Sequence, residues 1–426
     1  MSFERSRTPA PPAALDPSSS ATRSRKPWLT LVGIGADGEA GLSARAREAI
    51  SGAELVFGSA RQLALVPSLL NGETAYWPTR FALGVARVVA RRGLSTCVLA
   101  SGDPFFYGVG ATLSPHLEEG EFLCYPLPSS VSLAAARLGW SVQDTEVVSL
   151  HGRELRTIVP HLHPGRRIFA LSWNLDTPAE LARLLIARGF GPSRMTVLEA
   201  LGGPEERIRS CQAGDFALSR CSDLNLVAID LVADPHAVWL PLRASVADTE
   251  FEHDGQLTKQ DVRAVTLSAL QPRPGARLWD VGAGAGSIGI EWLLSHPSCE
   301  AIAIERDAAR CERIKRNAEA LGVPQLTVVE GQAPEALAGL APPDTIFVGG
   351  GVTHPGLVER CWNALGSRGR LIINAVALES EAQLLAEYAA RGGELHRISL
   401  ESAAPLGTMT AWRPSLPVTQ WRIQKP

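Results

Sequence analysis

The sequence lacks several features that would have pointed to common classes of protein. It has no run of 18 or more apolar residues, so no membrane-spanning helix is predicted. Its seven cysteines are scattered without a CxxC pair, which excludes a disulfide framework and favours a reducing, cytoplasmic environment. The GK dipeptide of Walker loops and the GxSxG and HExxH motifs are also absent. With 41 basic and 44 acidic residues, the chain is not expected to bind nucleic acid or membranes through bulk charge.

What is present is an ordinary globular composition with 45% hydrophobic and 20% charged residues. A length of 426 residues corresponds to two domains or slightly more. Residues 1–26 are rich in Ser, Pro, Ala and Arg, and we predict a disordered tail there. Residues 27–240 and 246–420 are predicted to form two domains, with a junction in the stretch from Pro235 to Asp248.

Apolar stretches alternate with helix-like stretches in both predicted domains, which indicates an α/β fold. A helix should begin after Ser43 and end at Gly52, a second should be capped by Thr258, and a third should lie between Asp307 and Gly322. Predicted strands of the first domain are Leu29–Ile34, Glu54–Phe57, Thr96–Ala100, Phe122–Tyr125, Glu146–Leu150, Arg167–Ser172, Met195–Ala200 and Asn225–Leu231. Predicted strands of the second are Arg277–Val281, Glu300–Glu305, Leu326–Glu330, Thr345–Val348, Arg370–Asn374, Glu394–Leu400 and Thr408–Trp412, the last two forming a terminal hairpin of a mostly parallel sheet.

A glycine-rich turn follows the first strand of the second domain. Gly282, Gly284 and Gly286 alternate between that strand and the next helix, so a ligand could contact backbone N–H groups at the helix N-terminus. Glu305 ends the following strand, where a carboxylate can accept both hydroxyls of a ribose. The spacing also satisfies GxGxxG, so a nicotinamide dinucleotide is an alternative ligand. Asp280 at the strand end, suited to a cationic amino-acid group, and the seven strands favour S-adenosyl-L-methionine instead.

This stretch, with Leu257-Thr258-Lys259 and the segments 330–337 and 344–351, resembles the decarboxylating precorrin methyltransferases of cobalamin synthesis. The resemblance covers about residues 250–415 and implies the Rossmann-like class I methyltransferase fold. It implies that Gly282, Gly284 and Gly286 hold the methionine end of S-adenosyl-L-methionine, Glu305 the ribose, and Gln332 and Ala333 the adenine. The segment 344–351 lacks the Asn/Asp-Pro-Pro-aromatic motif of amine methyltransferases, and its glycines leave room for a wide, flat acceptor.

Glycines recur at strand ends in the first domain. Val32–Gly38, Ala100–Gly108, Pro128–Leu138 and His151-Gly152-Arg153 together resemble the tetrapyrrole (class III) methyltransferases, over about residues 28–240. That family binds S-adenosyl-L-methionine in a cleft between two α/β lobes. The contacts with the methyl donor that the resemblance implies are Gly33, Gly35, Gly102, Asp103, Gly108, Ser132 and Leu133.

Other polar residues are candidates for contacts with a substrate. His151, His161 and His163 lack metal-site spacing, and no metal is expected. Arg153, Lys259 and Arg263 are candidates for binding substrate carboxylates, with a solvated surface position as the alternative for Arg153. His354 is a candidate for the acid that returns a proton after decarboxylation.

Together the two resemblances imply a bifunctional enzyme with one S-adenosyl-L-methionine site in each domain. The expected reaction is methylation of reduced precorrin-6, a tetrapyrrole, at C5 and C15, with loss of the C12 acetate carboxyl as CO2, giving precorrin-8. The first domain would methylate C5, and the second would methylate C15 and decarboxylate. A nicotinamide-dependent oxidoreductase and a non-catalytic tetrapyrrole carrier are the alternatives. Homo-oligomeric assembly is also expected.

Overall fold

The computed structural model describes residues 27–242 and 245–426, so the predicted tail lies outside the described residues. No helix within these ranges is long and apolar enough to cross a membrane. The chain divides into two compact units, which are described separately below. The first comprises residues 27–138 and Ala200–Glu206, and the second comprises Gly139–Glu199 and Arg207–Pro426.

The first unit is built on one parallel sheet of five strands in the order β3-β2-β4-β1-β5. Strand β1, which lies between β4 and β5, has the sequence LTLVGI and is almost entirely buried, as expected for a parallel strand covered on both faces. The strands are β1 Leu29–Ile34, β2 Leu55–Gly58, β3 Glu73–Tyr76, β4 Thr96–Ser101 and β5 Phe122–Tyr125. The α-helices are α1 Ala44–Ser51, α2 Ala60–Ala64, α3 Phe81–Val89, α4 Val109–Leu113 and α5 Ser130–Leu138.

The second unit begins with a mixed five-stranded sheet in the order β6-β7-β10-β8-β9. Only the pair β6–β7 is parallel, and the other three pairs are antiparallel. The elements are β6 Glu146–Ser149, β7 Arg167–Leu171, α6 Thr177–Ala187, β8 Arg194–Glu199, β9 Arg207–Gln212 and β10 Asn225–Asp230.

The second unit also contains a seven-stranded sheet in the order β13-β12-β11-β14-β15-β19-β16. Its first five strands are parallel, and β19 runs antiparallel to both of its neighbours. The strands are β11 Arg277–Val281, β12 Glu300–Glu305, β13 Thr327–Glu330, β14 Thr345–Val348, β15 Arg370–Ala375, β16 Glu394–Ile398 and β19 Val418–Gln424. The helices are α7 Gln260–Leu270, α8 Ser287–Ser295, α9 Ala308–Ala320, α10 Leu357–Ala364 and α11 Leu378–Arg391, and a separate hairpin joins β17 Glu401–Leu406 to β18 Met409–Pro414.

Apolar side chains cover both faces of this sheet. Trp292 on α8 belongs to one buried cluster, and Trp421 on β19 belongs to the other. Both tryptophans are fully buried, and their indole N–H groups donate to the carbonyls of Ala276 and Gly392. The doubly covered sheet therefore holds its strand ends rigidly.

The α/β class is confirmed, as are two of the predicted helix caps. Ser43 accepts a hydrogen bond from the Ala46 N–H, and Asp307 accepts one from the Arg310 N–H. The cap at Thr258 is wrong, because Lys259 occupies that position and no side chain bonds there. The count of seven strands is right, but the predicted strand Thr408–Trp412 lies in the separate hairpin. The seventh strand is β19, and β3 and β9 were not predicted either.

Candidate functional site

A cavity of about 1060 Å³ lies at the carboxyl edge of the seven-stranded sheet. The loops that follow β11, β12, β14 and β15 line it, together with the start of α7. Carboxyl ends of parallel strands meet at one edge, which is where open α/β sheets bind ligands. The predicted site residues that line it are Lys259, Gly282, Gly284, Glu305, Gln332, Ala333 and His354.

The three glycines after β11 all have left-handed backbone conformations. Their φ angles are +71° for Gly282, +59° for Gly284 and +78° for Gly286, values that other residues adopt only with strain. A Cβ on Gly282 would lie 2.9 Å from the Gly350 nitrogen, and one on Gly284 would lie 2.8 Å from a carbonyl oxygen. Gly286 begins α8, where its Cβ would meet the side chain of Ile314 at 2.7 Å. Gly282 and Gly284, which line the cavity, therefore let neighbouring backbone pack closely against their loop, while Gly286 allows helix packing.

Glu305 is the carboxylate that holds this loop in place. One oxygen accepts the Gly284 N–H at 2.9 Å, and the other accepts the N–H groups of Arg306 and Asp307 at 3.0 and 3.1 Å. The side chain is only 5% exposed. A carboxylate has about four acceptor positions, so roughly one remains open, on the oxygen that faces Gly284. That position can accept one hydroxyl from a ligand in the cavity.

Asp280 lies beneath the glycine loop and does not line the cavity. One oxygen accepts the Gly289 N–H at 2.9 Å, which ties α8 to the end of β11. The other oxygen has no hydrogen-bond partner within the described ranges. Burial, opposed by the Gly289 N–H and assisted by the charge of Glu305, raises the pKa of this carboxyl to about 7. The structure thus gives Asp280 a contact with α8 rather than a position facing the cavity.

Gln332, Ala333 and His354 lie on neighbouring loops of the cavity wall. The side chain of Gln332 is exposed, and its backbone carbonyl accepts the Ala336 N–H. His354 is half-buried, with Nδ1 3.3 Å from the carbonyl oxygen of Pro355. The glycines of residues 349–351 line the same wall. Polar side chains and glycine backbone therefore form this wall of the cavity.

The two basic candidates near the start of α7, Lys259 at its N-cap and Arg263 within it, differ sharply in exposure. The side chain of Lys259 is 60% exposed, lines the cavity and lies 3.8 Å from the Asp248 carboxylate. Arg263 is fully buried, where it pairs with Asp248 at 3.0 Å and with Glu291, and donates to the Thr258 carbonyl. The prediction that Arg263 binds a substrate carboxylate is wrong, because its side chain is fully buried and pairs with two carboxylates of the protein itself.

Several polar residues of the cavity wall were not predicted, and Asn374 is one of them. Asn374 is half-buried at the carboxyl end of β15 and lines the cavity. A single asparagine at the end of an apolar strand is also typical of an ordinary turn, so the sequence pattern carried no distinguishing signal.

In the first unit, predicted glycines lie at the ends of β1 and β4 and pack tightly against backbone. A Cβ on Gly33 would lie 1.9 Å from the carbonyl oxygen of Gly102 and 2.7 Å from the Leu127 nitrogen. Gly102 has a φ of +61° and accepts the Leu127 N–H. A Cβ on Gly108 would lie 2.5 Å from the carbonyl oxygen of Pro104. These glycines bring three loops to van der Waals distance at the carboxyl edge of the parallel sheet.

The other predicted residues of this unit lie on the loops after β1 and β4 and on the first turn of α5. Asp103 accepts the Phe105 N–H, and a Cβ on Gly35 would meet the Asp37 carboxylate at 2.4 Å. Ser132, on the first turn of α5, is exposed and bonds to Ser129. Leu133 is half-buried, and its side chain lies 3.3 Å from the position of a Cβ on Gly202.

Arg153 and the three histidines show no metal-like arrangement. Arg153 is exposed after β6, a position that is compatible both with binding a substrate carboxylate and with a solvated surface side chain. His161 Nδ1 lies 3.3 Å from the Glu146 carboxylate, while His163 bonds to the Pro160 carbonyl. Across residues 27–242 and 245–426, no group of three or more His, Cys, Asp or Glu side chains could hold a metal ion.

The residues of the cavity fit S-adenosyl-L-methionine. Two glycines without side chains line it, and the Glu305 carboxylate retains an open acceptor position for a ribose hydroxyl. The volume of about 1060 Å³ lies at the upper end of ordinary small-molecule sites, leaving space for more than a nucleoside.

Comparisons with known proteins agree with a two-part chain. A family described as the precorrin methyltransferase domain matches residues 249–425, and the tetrapyrrole (corrin/porphyrin) methylases match residues 28–217. Precorrin-6Y C(5,15)-methyltransferase (decarboxylating) of Sinorhizobium sp is 52% identical over 399 residues, covering 94% of this chain and 97% of that protein.

Two shorter relatives from Salmonella typhimurium each match part of the chain. Cobalt-precorrin-6B C(15)-methyltransferase (decarboxylating) is 33% identical over 173 residues, or 40% of this chain and 89% of that protein. Cobalt-precorrin-7 C(5)-methyltransferase is 35% identical over 186 residues, or 42% of this chain and 88% of that protein.

Proposed function

Because this chain belongs to the family of decarboxylating precorrin-6Y C(5,15)-methyltransferases, we propose that it methylates a reduced precorrin-6 ring at C5 and C15 and removes the C12 acetate carboxyl as CO2. The product would be precorrin-8 in cobalamin biosynthesis. The observation that carries the proposal is the cavity at the carboxyl edge of the seven-stranded sheet, in a chain whose two halves match two methylase families.

The second domain would methylate C15 and decarboxylate, with its donor held in the cavity by Gly282, Gly284, Glu305, Gln332 and Ala333. S-adenosyl-L-methionine, when bound there, supplies an electrophilic methyl group. Glu305 keeps the Gly284 N–H fixed and offers its open acceptor position to a ribose hydroxyl. The protein's main task is alignment, because an electron-rich ring carbon needs no activated side-chain nucleophile.

The acceptor part of the cavity must also bind an acidic ring. Lys259 contributes a positive charge at its wall, next to the Asp248 carboxylate that holds the ammonium in place. Decarboxylation sends the electron pair of the broken C–C bond into the conjugated ring, and the side-chain carbon then takes up a proton. His354, which lines the cavity, would supply that proton.

The first domain would methylate C5. Gly33, Gly35, Gly102, Asp103, Gly108, Ser132 and Leu133 would contact the donor there. The close approach of Gly33 to Gly102 supports this assignment, because it leaves bare backbone at the strand ends. Arg153 would pair with a substrate carboxylate of this domain. Cytoplasmic location and homo-oligomeric assembly stay predictions.

The direct test is the product formed from precorrin-6Y and S-adenosyl-L-methionine by the full chain. Mass spectrometry should find two added methyl groups and one lost CO2. The same preparation should bind S-adenosylhomocysteine in a calorimeter and should not bind NADH. Binding of NADH with no methyl transfer would support the oxidoreductase alternative, and binding of the pigment without turnover would support a carrier.

A further inference from the structure

Asn374 occupies a distinctive place in the cavity wall. It is the second-last residue of strand β15 and follows the buried residues Leu371, Ile372 and Ile373. Its own side chain is half-buried and lines the cavity. An amide at the carboxyl edge of a central parallel strand is well placed to contact a ligand.

A directional hydrogen-bond network fixes the orientation of this amide. The Thr266 hydroxyl donates to the Val262 carbonyl at 2.8 Å, so its oxygen must accept from both neighbouring amides. Those contacts are Asn374 Nδ2 at 3.0 Å and Gln420 Nε2 at 3.1 Å. Gln420 Nε2 also donates to Asn374 Oδ1 at 2.8 Å. Since Arg422 Nε donates to Gln420 Oε1, neither amide can reverse without losing hydrogen bonds.

The network is buried, which makes its orientation costly to change. Thr266 and Gln420 are both fully buried, on α7 and β19 respectively. Burying polar side chains is unfavourable unless they form hydrogen bonds, and here Thr266 and Gln420 do. The arrangement holds one side chain at the cavity in a single rotamer, as preorganised binding groups require.

Asn374 has one N–H left for a ligand. Of its two Nδ2 hydrogens, one is used by Thr266, and Oδ1 already accepts from Gln420. Lys259, the N-cap residue of α7, lines the same cavity. The cavity therefore offers an anionic ligand both a fixed N–H donor and an ammonium group.

We infer that Asn374 is a specificity-determining residue that donates its free N–H to a carboxylate of the tetrapyrrole acceptor, with Gln420 and Thr266 as its positioning residues. The inference rests on the proposed function of the second domain. It assigns the Asn374 part of the cavity to the acceptor, and the glycine loop with Glu305 to the methyl donor.

Two substitutions of Asn374 test the contact in the full chain. Asn374→Ala removes the N–H, and a lost hydrogen bond to a charged group should raise the acceptor KM for C15 methylation about tenfold or more. Asn374→Asp places a negative charge next to the acceptor carboxylate and should raise this KM further. The Kd of S-adenosylhomocysteine at the second-domain site and the rate of C5 methylation should not change. Asn363→Ala is the matched control, because Asn363 is exposed on α10 and bonds only to Glu359.

Gln420→Glu tests the positioning role separately. A carboxylate cannot donate to Asn374 Oδ1, so the Asn374 amide should turn and the acceptor KM should rise as in Asn374→Ala. The double variant, Asn374→Ala with Gln420→Glu, should have an acceptor KM no higher than that of Asn374→Ala, since both changes remove the same contact with the acceptor. Unchanged donor affinity shows that the domain is folded in each variant.

The outcomes separate the inference from the proposed function. An unchanged acceptor KM in both Asn374 variants, with a parent enzyme that adds two methyl groups, overturns the inference alone. A donor Kd that weakens in parallel with the acceptor KM also overturns it, because Asn374 would then serve the donor or the fold. An Asn374→Asp enzyme that binds the acceptor as well as the parent excludes a carboxylate at this position. A parent that adds no methyl groups contradicts the proposed function.

Discussion

The two glycine clusters of this chain look alike in sequence but meet different physical needs. In the second unit, Gly282, Gly284 and Gly286 all have φ near +60° to +80°, and Glu305 fastens their loop. In the first unit, Gly33 has an ordinary φ. Glycine is required at this position because a Cβ would lie 1.9 Å from the Gly102 carbonyl oxygen. The three glycines of the second unit need unusual dihedral angles as well as absent side chains, whereas Gly33 needs only the absent side chain.

The difference predicts different sensitivity to substitution. A loop held by a carboxylate should respond to the charge of that carboxylate. Loops whose backbones pack against each other should instead respond to the volume of any side chain added between them. Substitutions of Gly33 and Glu305 test this contrast most directly.

Gly33→Ala should have the largest effect. The new Cβ would meet backbone atoms of Gly102 and Leu127, which cannot move as a flexible side chain can. We expect a loss of about 3 kcal/mol in the stability of the first unit and at least hundredfold slower C5 methylation. Product mass spectrometry should still find C15 methylation. Gly366→Ala is the control, because no atom lies within 4 Å of its added Cβ and its φ is not positive. Normal C5 methylation by Gly33→Ala would contradict the packing account.

Glu305→Gln should weaken the donor site of the second domain. The carboxylate accepts three backbone N–H groups, and an amide can replace only part of that set. We expect the Kd of S-adenosylhomocysteine at this site to rise about tenfold to hundredfold, with C5 methylation retained. Glu300→Gln, at the exposed start of the same strand, is the matched control for calorimetry. Equal affinities of the two variants would show that Glu305 does not organise the site.

Asp280→Asn should change the pH dependence of stability. The carboxyl has a pKa near 7 in the folded chain and near 4 when unfolded, so the folded state binds an extra proton between these values. Stability should therefore fall as the pH rises from about 4 to 7, with a slope of at most about 1.4 kcal/mol per pH unit, and this contribution should level off above pH 7. The variant should lose this contribution in denaturant titrations at several pH values. An identical pH profile in both proteins would contradict the burial argument.

Lys259→Ala should have the smallest effect. The ammonium is largely exposed, so its contribution is screened by solvent. We expect the acceptor KM for C15 methylation to rise about threefold, with the donor Kd unchanged. Lys315→Ala removes an exposed lysine that pairs with Glu312 on α9 and should leave both constants as they are. A Lys259→Ala enzyme with the parent's KM would remove this residue from the acceptor site.

The sequence was most informative where local chemistry dominates. Apolar runs that end in glycine predicted β1 and β11, and the polar caps at Ser43 and Asp307 predicted two helix starts.

Long-range partners could not be predicted in the same way. Strand β19 mixes Thr419 and Gln420 with apolar residues, and their burial depends on hydrogen bonds to distant elements. Arg263 resembled a surface cation, but Glu291 and Asp248, which are separated from it along the chain, bury it. Asn374 acquires its fixed orientation only through Thr266 and Gln420, 108 and 46 residues away.

The most direct test of the account is the number of donor sites in one chain. Calorimetric titration of the full chain with S-adenosylhomocysteine should give two bound molecules per chain, and Glu305→Gln should leave one of the two sites at its original affinity. A single site in the parent protein, or loss of all binding in Glu305→Gln, would contradict an independent methyl-donor site in each domain.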